Sequence, residues 1–569
     1  MRLFVALALL VLASTATAQD RVDYLDRLAT AGPDADADVD RLVAQLWPIL
    51  PDTLRRALGA PAPDAGLDLV AWWHAQDPLP ATPENERLTL HLDRVAHAER
   101  RFADASRRGF DDRGAVFVRL GEPDVVRELR SQTLLLSRSS LAVGTPDNAL
   151  WVYDGGRLGF LFVEDGRTWR EASPVDLLPP GLQMIRQGEM HPRAPEWAKT
   201  SALAFYDLMD AIAAVIPQYA LALPTVDALH FEITGDALEA GMSPTRFAEK
   251  PSVSQTFTSG GTAGDVPQIV ASLFEEIEAE RQQAARATRD VVSGVDLPPV
   301  AEMPVAVRAA RFRGPGGRTR VEVAWAPEPG AFVGLGDGLA VRSVATVAEA
   351  GGRGDGDRAE RVSPLSSLAT RPGQTTPVEA ATFQATGRRL SVAVQTDVLD
   401  AEGAAVRRGI ARVGPLAPLT EGPGGLLISD PLPHLVPPDA VDAISGAPRA
   451  QAERARARWR YPYDMVVPGA LVGVFVEAYD LGTRGGRSDY EVERSIYRTD
   501  GATGERSLVS LSATPSGTTS GTAREFIVLP VPADVRAGDR VVFEGTIRDR
   551  VTGRSGTWSL VFSVVGGSG

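Results

Sequence analysis

The hydrophobic pattern of the N-terminal part of the chain has the three-to-four-residue period of amphipathic helices. Apolar side chains repeat at this spacing over residues 41–58 and again over 85–102, and the segment 20–28 is long enough for a further short helix. The same period returns over 201–216 and 266–287. The pattern therefore predicts a mainly helical start and further helices before residue 300.

Between these helical segments, apolar residues become consecutive or alternate with polar ones, as they do in β-strands. The run 115–120 predicts a buried strand, which a turn over 121–124 separates from another strand. The stretches 151–153 and 158–163 predict a hairpin across a glycine-rich turn. We expect a small antiparallel sheet that packs on the preceding helices.

Beyond residue 305, apolar and polar residues alternate between glycine-rich breaks, a pattern typical of β-sandwiches. We predict one sandwich over 305–415 and another over 460–566, joined by a linker over 416–459. The fold class is therefore multidomain α+β, in which a region of helices and a small sheet, 19–300, precedes two all-β domains. The strand predictions rest on Val321, Val323, Trp325, Leu390, Val392 and Val394, on the segments 471–478, 490–497 and 526–531, and on a hairpin over 541–565 that turns at Thr552-Gly553.

Residues 1–18 have the pattern of a secretory signal peptide. Arg2 precedes an apolar run, and small residues end at Ala18, where cleavage leaves Gln19 first. No later segment has the roughly 18 consecutive apolar residues that a transmembrane helix needs. The chain has no cysteine, which argues against a lipoprotein anchor, disulfides and thiol catalysis. We therefore expect an exported protein that is periplasmic, outer-membrane-associated or extracellular, with no transmembrane segment after cleavage.

The charge of the chain narrows the class of partner. Lysine and arginine number 59 against 73 aspartates and glutamates, so the formal net charge is -14. Nucleic-acid binding needs a surplus of basic side chains to neutralise phosphates. We therefore expect no nucleic acid, and an envelope protein or glycan as the partner.

Several short motifs follow one another between residues 72 and 124. They are Trp72-Trp73-His74-Ala75-Gln76-Asp77-Pro78, Asn85-Glu86-Arg87, Gly109-Phe110-Asp111-Asp112-Arg113-Gly114 and Gly121-Glu122-Pro123-Asp124. In their order and spacing they resemble the GWxTD domain family of exported bacterial proteins. In the third motif, Phe110 stands for the family's tryptophan, one residue is missing and Asp111 replaces the threonine. The resemblance implies an exported bacterial protein and brings no established activity.

The third motif, residues 109–114, is the centre of the candidate binding site, and we call it the signature loop. Its Asp111 and Asp112, with Asp124 nearby, offer the paired carboxylates that glycoside cleavage needs. A structural alternative is that Asp124 caps backbone amides and that Asp112 holds the loop through Arg113. The aromatic candidates Trp151 and Tyr153 either line a sugar-binding groove or belong to a hydrophobic core. The candidate binding residues are Gly109, Phe110, Asp111, Asp112, Arg113, Gly114, Asp124, Trp151 and Tyr153, and none is assigned a catalytic role.

We expect neither a metal nor a cofactor. The aspartates at 34, 36, 38 and 40 lack the glycine and the bidentate acid of a calcium loop and instead predict a turn and a helix N-cap. The histidines form no His-Glu-x-x-His motif, and neither a Gly-x-Ser-x-Gly elbow nor a phosphate loop occurs. The tripeptide 353–355 and the loop 258–264 are interpreted as a solvated turn and a linker, with adhesion and anion binding as their alternatives.

These observations predict an exported, non-catalytic binding or scaffold protein of the cell envelope, because sandwich modules usually present loops to partners. One alternative is a hydrolase of envelope glycans or peptides that uses the carboxylates near the signature loop. Another is a purely structural envelope component, which predicts exposed apolar patches and self-association.

Overall fold

The computed structural model leaves several predicted features outside the residues that it describes. These are the signal-peptide segment 1–17, the loop 258–264, the helix 266–287 apart from residue 279, and the tripeptide 353–355. The described residues are 18–59, 64–130, 146–177, 207–216, 279, 299–328, 330–336, 338–350, 357–368, 378–441, 459–518 and 520–566.

The chain divides into two compact units, each built from separate stretches of sequence. The first unit comprises Met1–Thr15, Asp34–Pro61 and Leu90–Val295. The second comprises Ala16–Pro33, Ala62–Thr89 and Asp296–Gly569. The predicted N-terminal region 19–300 thus contributes residues to both units.

The predicted helices over 20–28 and 85–102 are confirmed, and 41–58 forms two helices instead of one. Pro48 and Pro51 separate these two, because proline has no N–H to continue a helical ladder. Within 201–216, the described residues 207–213 are helical. The helices are α1 (Ala18–Leu28), α2 (Ala37–Leu46), α3 (Asp52–Leu58), α4 (Ala65–Ala75), α5 (Glu86–Arg101), α6 (Asp112–Leu120), α7 (207–213) and α8 (Leu365–Leu368).

The predicted buried strand over 115–120 is wrong, because these residues belong to α6. The carboxylate of Asp111 accepts the backbone N–H groups of Arg113 and Gly114 at 2.9 and 3.2 Å. Such an N-cap satisfies the first N–H groups of a helix and so favours its start at this point. The apolar run that follows is too short for its period to distinguish a helix from a strand.

The predicted hairpin of the first unit is confirmed and belongs to an antiparallel sheet in the order β1-β2-β3-β4. Trp151 lies opposite Phe160 in the register of its two central strands. One face of the sheet shares a hydrophobic cluster with Leu208 and Ile212 of α7. The strands are β1 (Val125–Arg127), β2 (Asn148–Tyr153), β3 (Leu158–Asp165) and β4 (Thr168–Ala172).

In the second unit, one hydrophobic cluster is shared by two sheets in the orders β10-β7-β6 and β5-β12-β11-β8-β9. Trp325 and Val323 enter it from the first sheet, and Val392 and Val394 from the second, which confirms these predicted strands. The strands are β5 (Ala301–Glu302), β6 (Val305–Arg313), β7 (Thr319–Pro327), β8 (Ala340–Ala350), β9 (Asp357–Pro364), β10 (Glu379–Ala385), β11 (Arg389–Leu399) and β12 (Ala405–Leu416).

Two more sheets, in the orders β13-β15-β18 and β14-β20-β19-β16-β17, share a second cluster, which includes Val474, Phe543 and Phe562. The hairpin predicted over 541–565 is confirmed as β19 and β20. The predicted linker 416–459 contributes β13. The strands are β13 (Leu432–Leu435), β14 (Met465–Val466), β15 (Leu471–Ala478), β16 (Ser488–Thr499), β17 (Arg506–Thr518), β18 (Ala523–Pro530), β19 (Arg540–Asp549) and β20 (Ser555–Val564).

Helix α4 packs on the five-stranded sheet that contains β11 and also contacts α1. The hydroxyl of Ser391 donates to the carbonyl of Ala71 at 3.2 Å, and Arg389 pairs with Asp68 at 2.8 Å. Gly66 allows the close approach to α1, because a Cβ there would lie 2.5 Å from the Ala29 carbonyl oxygen. The segment that carries the first motif is thereby fixed within the second unit.

We expect Gly66→Ala to lower the free energy of unfolding by about 1 to 3 kcal/mol, since the added methyl group forces α4 away from α1. Gly32→Ala is the matched control, because a Cβ at position 32 has no heavy atom within 4 Å. Urea unfolding followed by circular dichroism measures both variants. Equal stability of the two variants would contradict the close packing of α4 on α1.

Candidate functional site

The signature loop leads from a turn into the start of α6. Backbone hydrogen bonds and side-chain packing both hold this turn in place. Gly109 donates its N–H to the carbonyl of Ser106 at 2.9 Å. Phe110 is completely buried and therefore serves as a core side chain. A Cβ at position 114 would lie 2.7 Å from the Phe110 ring, so glycine is required there.

Asp111 is the N-cap of α6, and its buried carboxylate is fully engaged. Besides the N–H groups of Arg113 and Gly114, it binds the Arg113 guanidinium at 2.7 Å. Its own N–H donates to the carbonyl of Phe102 at 2.9 Å. The guanidinium of Arg113 lies 4.2 Å from the ring centre of Trp169, a cation–π distance. The carboxylate therefore joins a helix start to a sheet.

Asp112 links the signature loop to the small sheet through both of its carboxylate oxygens. Oδ1 pairs with the guanidinium of Arg108 at 2.5 Å, and Oδ2 accepts the backbone N–H of Glu171 in β4 at 2.7 Å. The sequence predicts an ion pair of Asp112 with Arg113. In the structure Arg108 takes that place, because Arg113 reaches back to Asp111.

The predicted capping role of Asp124 is confirmed. Its carboxylate accepts the N–H of Gly155 in the hairpin turn at 3.1 Å, and its own N–H donates to the carbonyl of Val152 at 2.9 Å. The hydroxyl of Tyr153 donates to the carbonyl of Gly121 at 3.0 Å. Burial, with the charge of Glu122 nearby, raises the pKa of Tyr153 well above its usual range, so the phenol stays protonated.

Trp151 and its neighbours form an aromatic core between the sheet and the helices of the first unit. The Trp151 ring centre lies 5.4 Å from that of Phe102 and 5.1 Å from that of Phe162. His97 stacks on Phe117 at 4.3 Å. Trp151 is buried, which supports the core interpretation over a sugar-binding groove.

A different pair of carboxyl groups meets in the second unit, between α4 and α5. Asp77 accepts the N–H of Leu79 at 3.0 Å, and the charge of Glu86 acts on its carboxyl group. The hydroxyl of Thr82 donates to Glu86 Oε1 at 2.5 Å. Arg412 of β12 donates to the backbone carbonyl of Asp77.

Burial raises the pKa of Asp77 to about 7, although the N–H of Leu79 acts against it, and the neighbouring Glu86 adds to the rise. The charge of Arg412 opposes the shift and does not cancel it. Burial also lowers the pKa of His74 to about 4, so its imidazole is neutral at neutral pH. A carboxyl group that titrates near neutrality is typical of proton-transfer sites and of pH-sensitive contacts.

Asp77 and Glu86 stand in the sequence as members of motifs, and neither was predicted as a site residue. They stand nine positions apart across a proline-containing loop, so no helical or strand spacing joins them. One local signal exists, because Asn85 caps α5 by accepting the N–H of Leu88 at 3.0 Å and so places Glu86 in the first turn. The loop fold then brings Asp77 to that turn.

Two further kinds of feature are absent from the described ranges. No three His, Cys, Asp or Glu side chains are grouped there as metal ligands would be. None of the helices in those ranges is long and apolar enough to span a bilayer.

No protein-family model matches the chain, and no curated protein matches it. The likeness to GWxTD proteins therefore rests on the motifs between residues 72 and 124 and remains a proposal.

We expect Asp111→Ala to lower the free energy of unfolding by roughly 2 kcal/mol, because it removes an N-cap and a partly buried ion pair. Asp111→Asn keeps an acceptor for the cap and should cost less. The control is Asp34→Ala, which changes an exposed carboxylate. Chemical unfolding measures the three variants, and a neutral Asp111→Ala would show that the cap does not stabilise the helix.

We expect the melting temperature to fall as the pH rises from about 5 to about 8, because Asp77 loses its proton over this range. Its pKa is about 7 in the folded chain against an ordinary 3.8, so the folded state binds the proton more tightly. This contribution is complete below pH 3.8 and is lost as the pH rises through about 7. Differential scanning calorimetry across this range measures it.

Asp77→Asn removes the titrating group and should flatten that part of the pH profile, since its amide resembles a protonated carboxyl group. Glu402→Gln, which changes an exposed carboxylate, should leave the profile unchanged. If the pH profile of the melting temperature is identical in the wild type and in Asp77→Asn, Asp77 does not titrate in this pH range.

Proposed function

We propose that this protein is an exported, non-catalytic binding or scaffold protein of the cell envelope, related to the GWxTD proteins. The observation that carries the proposal is the set of hydrogen bonds made by three carboxylates in or near the signature loop. Asp111, Asp112 and Asp124 each accept backbone N–H groups, and the first two also bind arginines. A general acid or base needs an oxygen free to exchange a proton with the substrate, and these groups are instead used to hold loops.

Export is proposed from the signal-peptide pattern of residues 1–18. We further propose that each pair of sheets in the second unit is a β-sandwich. Support comes from the two clusters, each of which takes side chains from a three-stranded and a five-stranded sheet. Sandwiches of this size present loops and strand edges to partners, as a scaffold requires.

One observation favours a second candidate, a hydrolase of envelope glycans or peptides. Burial, with Glu86 nearby, raises the pKa of Asp77 to about 7, and a carboxyl group with a raised pKa acts as the general acid in some hydrolases. A structural role accounts for the same contacts, because Thr82 and Arg412 hold the loop at this point. The hydrolase candidate thus moves from the signature loop to Asp77.

We expect the purified chain to leave peptidoglycan fragments and unstructured peptides intact over long incubation. A parallel thermal-shift screen with the same compounds should give an increase in melting temperature for any that bind the native state. Mass spectrometry detects products. Turnover that is lost in Asp77→Asn, and retained in Asp112→Asn, would overturn the proposal in favour of a hydrolase at the carboxyl pair. Turnover that is lost in Asp112→Asn alone would instead indicate a hydrolase site at the signature loop.

A further inference from the structure

Strand β17 forms one edge of the last five-stranded sheet and is the most exposed long strand of the second unit. It has 13 residues and pairs with β16 on one side, and no described strand pairs with its other side. Leu508 and Leu511 are 53% and 59% exposed. An edge of this kind presents unpaired backbone N–H and C=O groups to another strand.

Pro515 shows which residues of β17 direct their N–H groups toward the free edge. Proline has no N–H, so within a paired strand it occupies a position whose nitrogen faces away from the neighbour. Pro515 is paired opposite Glu491 without a break in register. Because the direction alternates along a strand, Ala513 and Leu511 also direct their N–H groups to the free edge.

An apolar row begins at this edge and crosses the outer face of the sheet. In the register of the strands, Leu508 lies opposite Tyr497, Tyr497 opposite Val542, and Val542 opposite Val561. Val561 is 47% exposed. A row of apolar side chains that reaches an open edge can continue across a second sheet joined there.

The other strands that stand at the ends of the sheet orders are short, charged or covered, as natural edge strands usually are. Strands β1, β5, β13 and β14 have four residues or fewer. Strand β10 is covered by β9, since Gln384 donates its N–H to Asp357 and Arg361 donates to the carbonyl of Ala380. The remaining edges carry charged side chains within the strand, namely Arg170 and Glu171, Arg308 and Arg311, Arg358 and Glu360, and Arg524 and Glu525.

The charge of β17 distinguishes it from those edges. Its one charged residue, Arg506, is its first, and this side chain pairs with Glu544 at 2.8 Å and lies over the ring of Tyr497. Residues 507–518 are uncharged in a chain of net charge -14. Two copies therefore meet at this strand without the repulsion that acid-rich surfaces would impose.

We propose that two copies of this chain associate through β17 in an antiparallel pair that makes one continuous sheet. A two-fold axis at Ser512 places Leu511 of each copy opposite Ala513 of the other. Both residues direct N–H and C=O groups to the edge, so each such pair exchanges both backbone hydrogen bonds. The large Leu511 side chain then lies beside the small Ala513 on the outer face. This self-association goes beyond the proposed function and does not depend on it.

Sedimentation velocity of the full chain over a range of concentrations tests the pairing. The mean mass should rise toward twice that of one chain. Ala513→Pro removes an edge-facing N–H without removing a bond to β16, and Leu511→Arg places like charges together at the two-fold axis. Each variant should weaken dimerisation at least tenfold. Val362→Arg is the matched control, since Val362 is 62% exposed on the already charged edge strand β9, and it should dimerise like the wild type.

Circular dichroism and the melting temperature establish that both β17 variants remain folded. A wild-type chain that stays monomeric at every concentration overturns the proposal. The free edge of β17 would then be a site for an extended segment of another protein. Dimers that persist in both folded variants overturn it as well, because they would place the contact elsewhere. Neither outcome affects the turnover test of the proposed function.

Discussion

Aspartate carboxylates that accept backbone N–H groups hold the loops of both units. Asp111 and Asp124 do so in the first unit. In the second, the buried Asp549 accepts the N–H groups of Gly482 and Val551 at 2.7 and 2.9 Å and the Thr552 hydroxyl at 2.5 Å. Although burial acts to raise it, these donors hold the pKa of Asp549 below its usual range. In a chain without cysteine, such caps take the place of covalent loop constraints.

The same interaction separates the structural carboxyl groups of this protein from the titratable one. A carboxylate that accepts several N–H groups is stabilised in its charged form and is a weak base. Asp77 is in the opposite situation, because burial disfavours its negative charge and the nearby acid Glu86 adds to this effect. The carboxyl group that titrates near neutral pH therefore lies in the α4–α5 loop. The signature loop instead connects α6 to the small sheet through hydrogen bonds and ion pairs.

The distribution of charge along the strands has a comparable consequence for association. Charged side chains lie along the edge strands β4, β6, β9 and β18, as is common at sheet edges. Strand β17 lacks them after its first residue, and its leucines extend an apolar row over the outer face. The surface that is most suited to another strand thus lies in the C-terminal sheet and far along the chain from the motifs of residues 72–124.

The sequence by itself determined the helices and strands in which the spacing of apolar residues is regular over a long segment. Helices over 20–28 and 85–102, the alternating strands around Trp325 and Val392, and the glycine-turned hairpin 541–565 followed from side-chain spacing, because burial on one face imposes that spacing. Tertiary structure decided what periodicity leaves open. The run 115–120 is equally apolar as helix or strand, and the cap at Asp111 made it helical. Asp77 and Glu86 share no spacing, and only the folding of their loop onto Arg412 brought two acids together, since long-range contacts leave no local pattern in the chain.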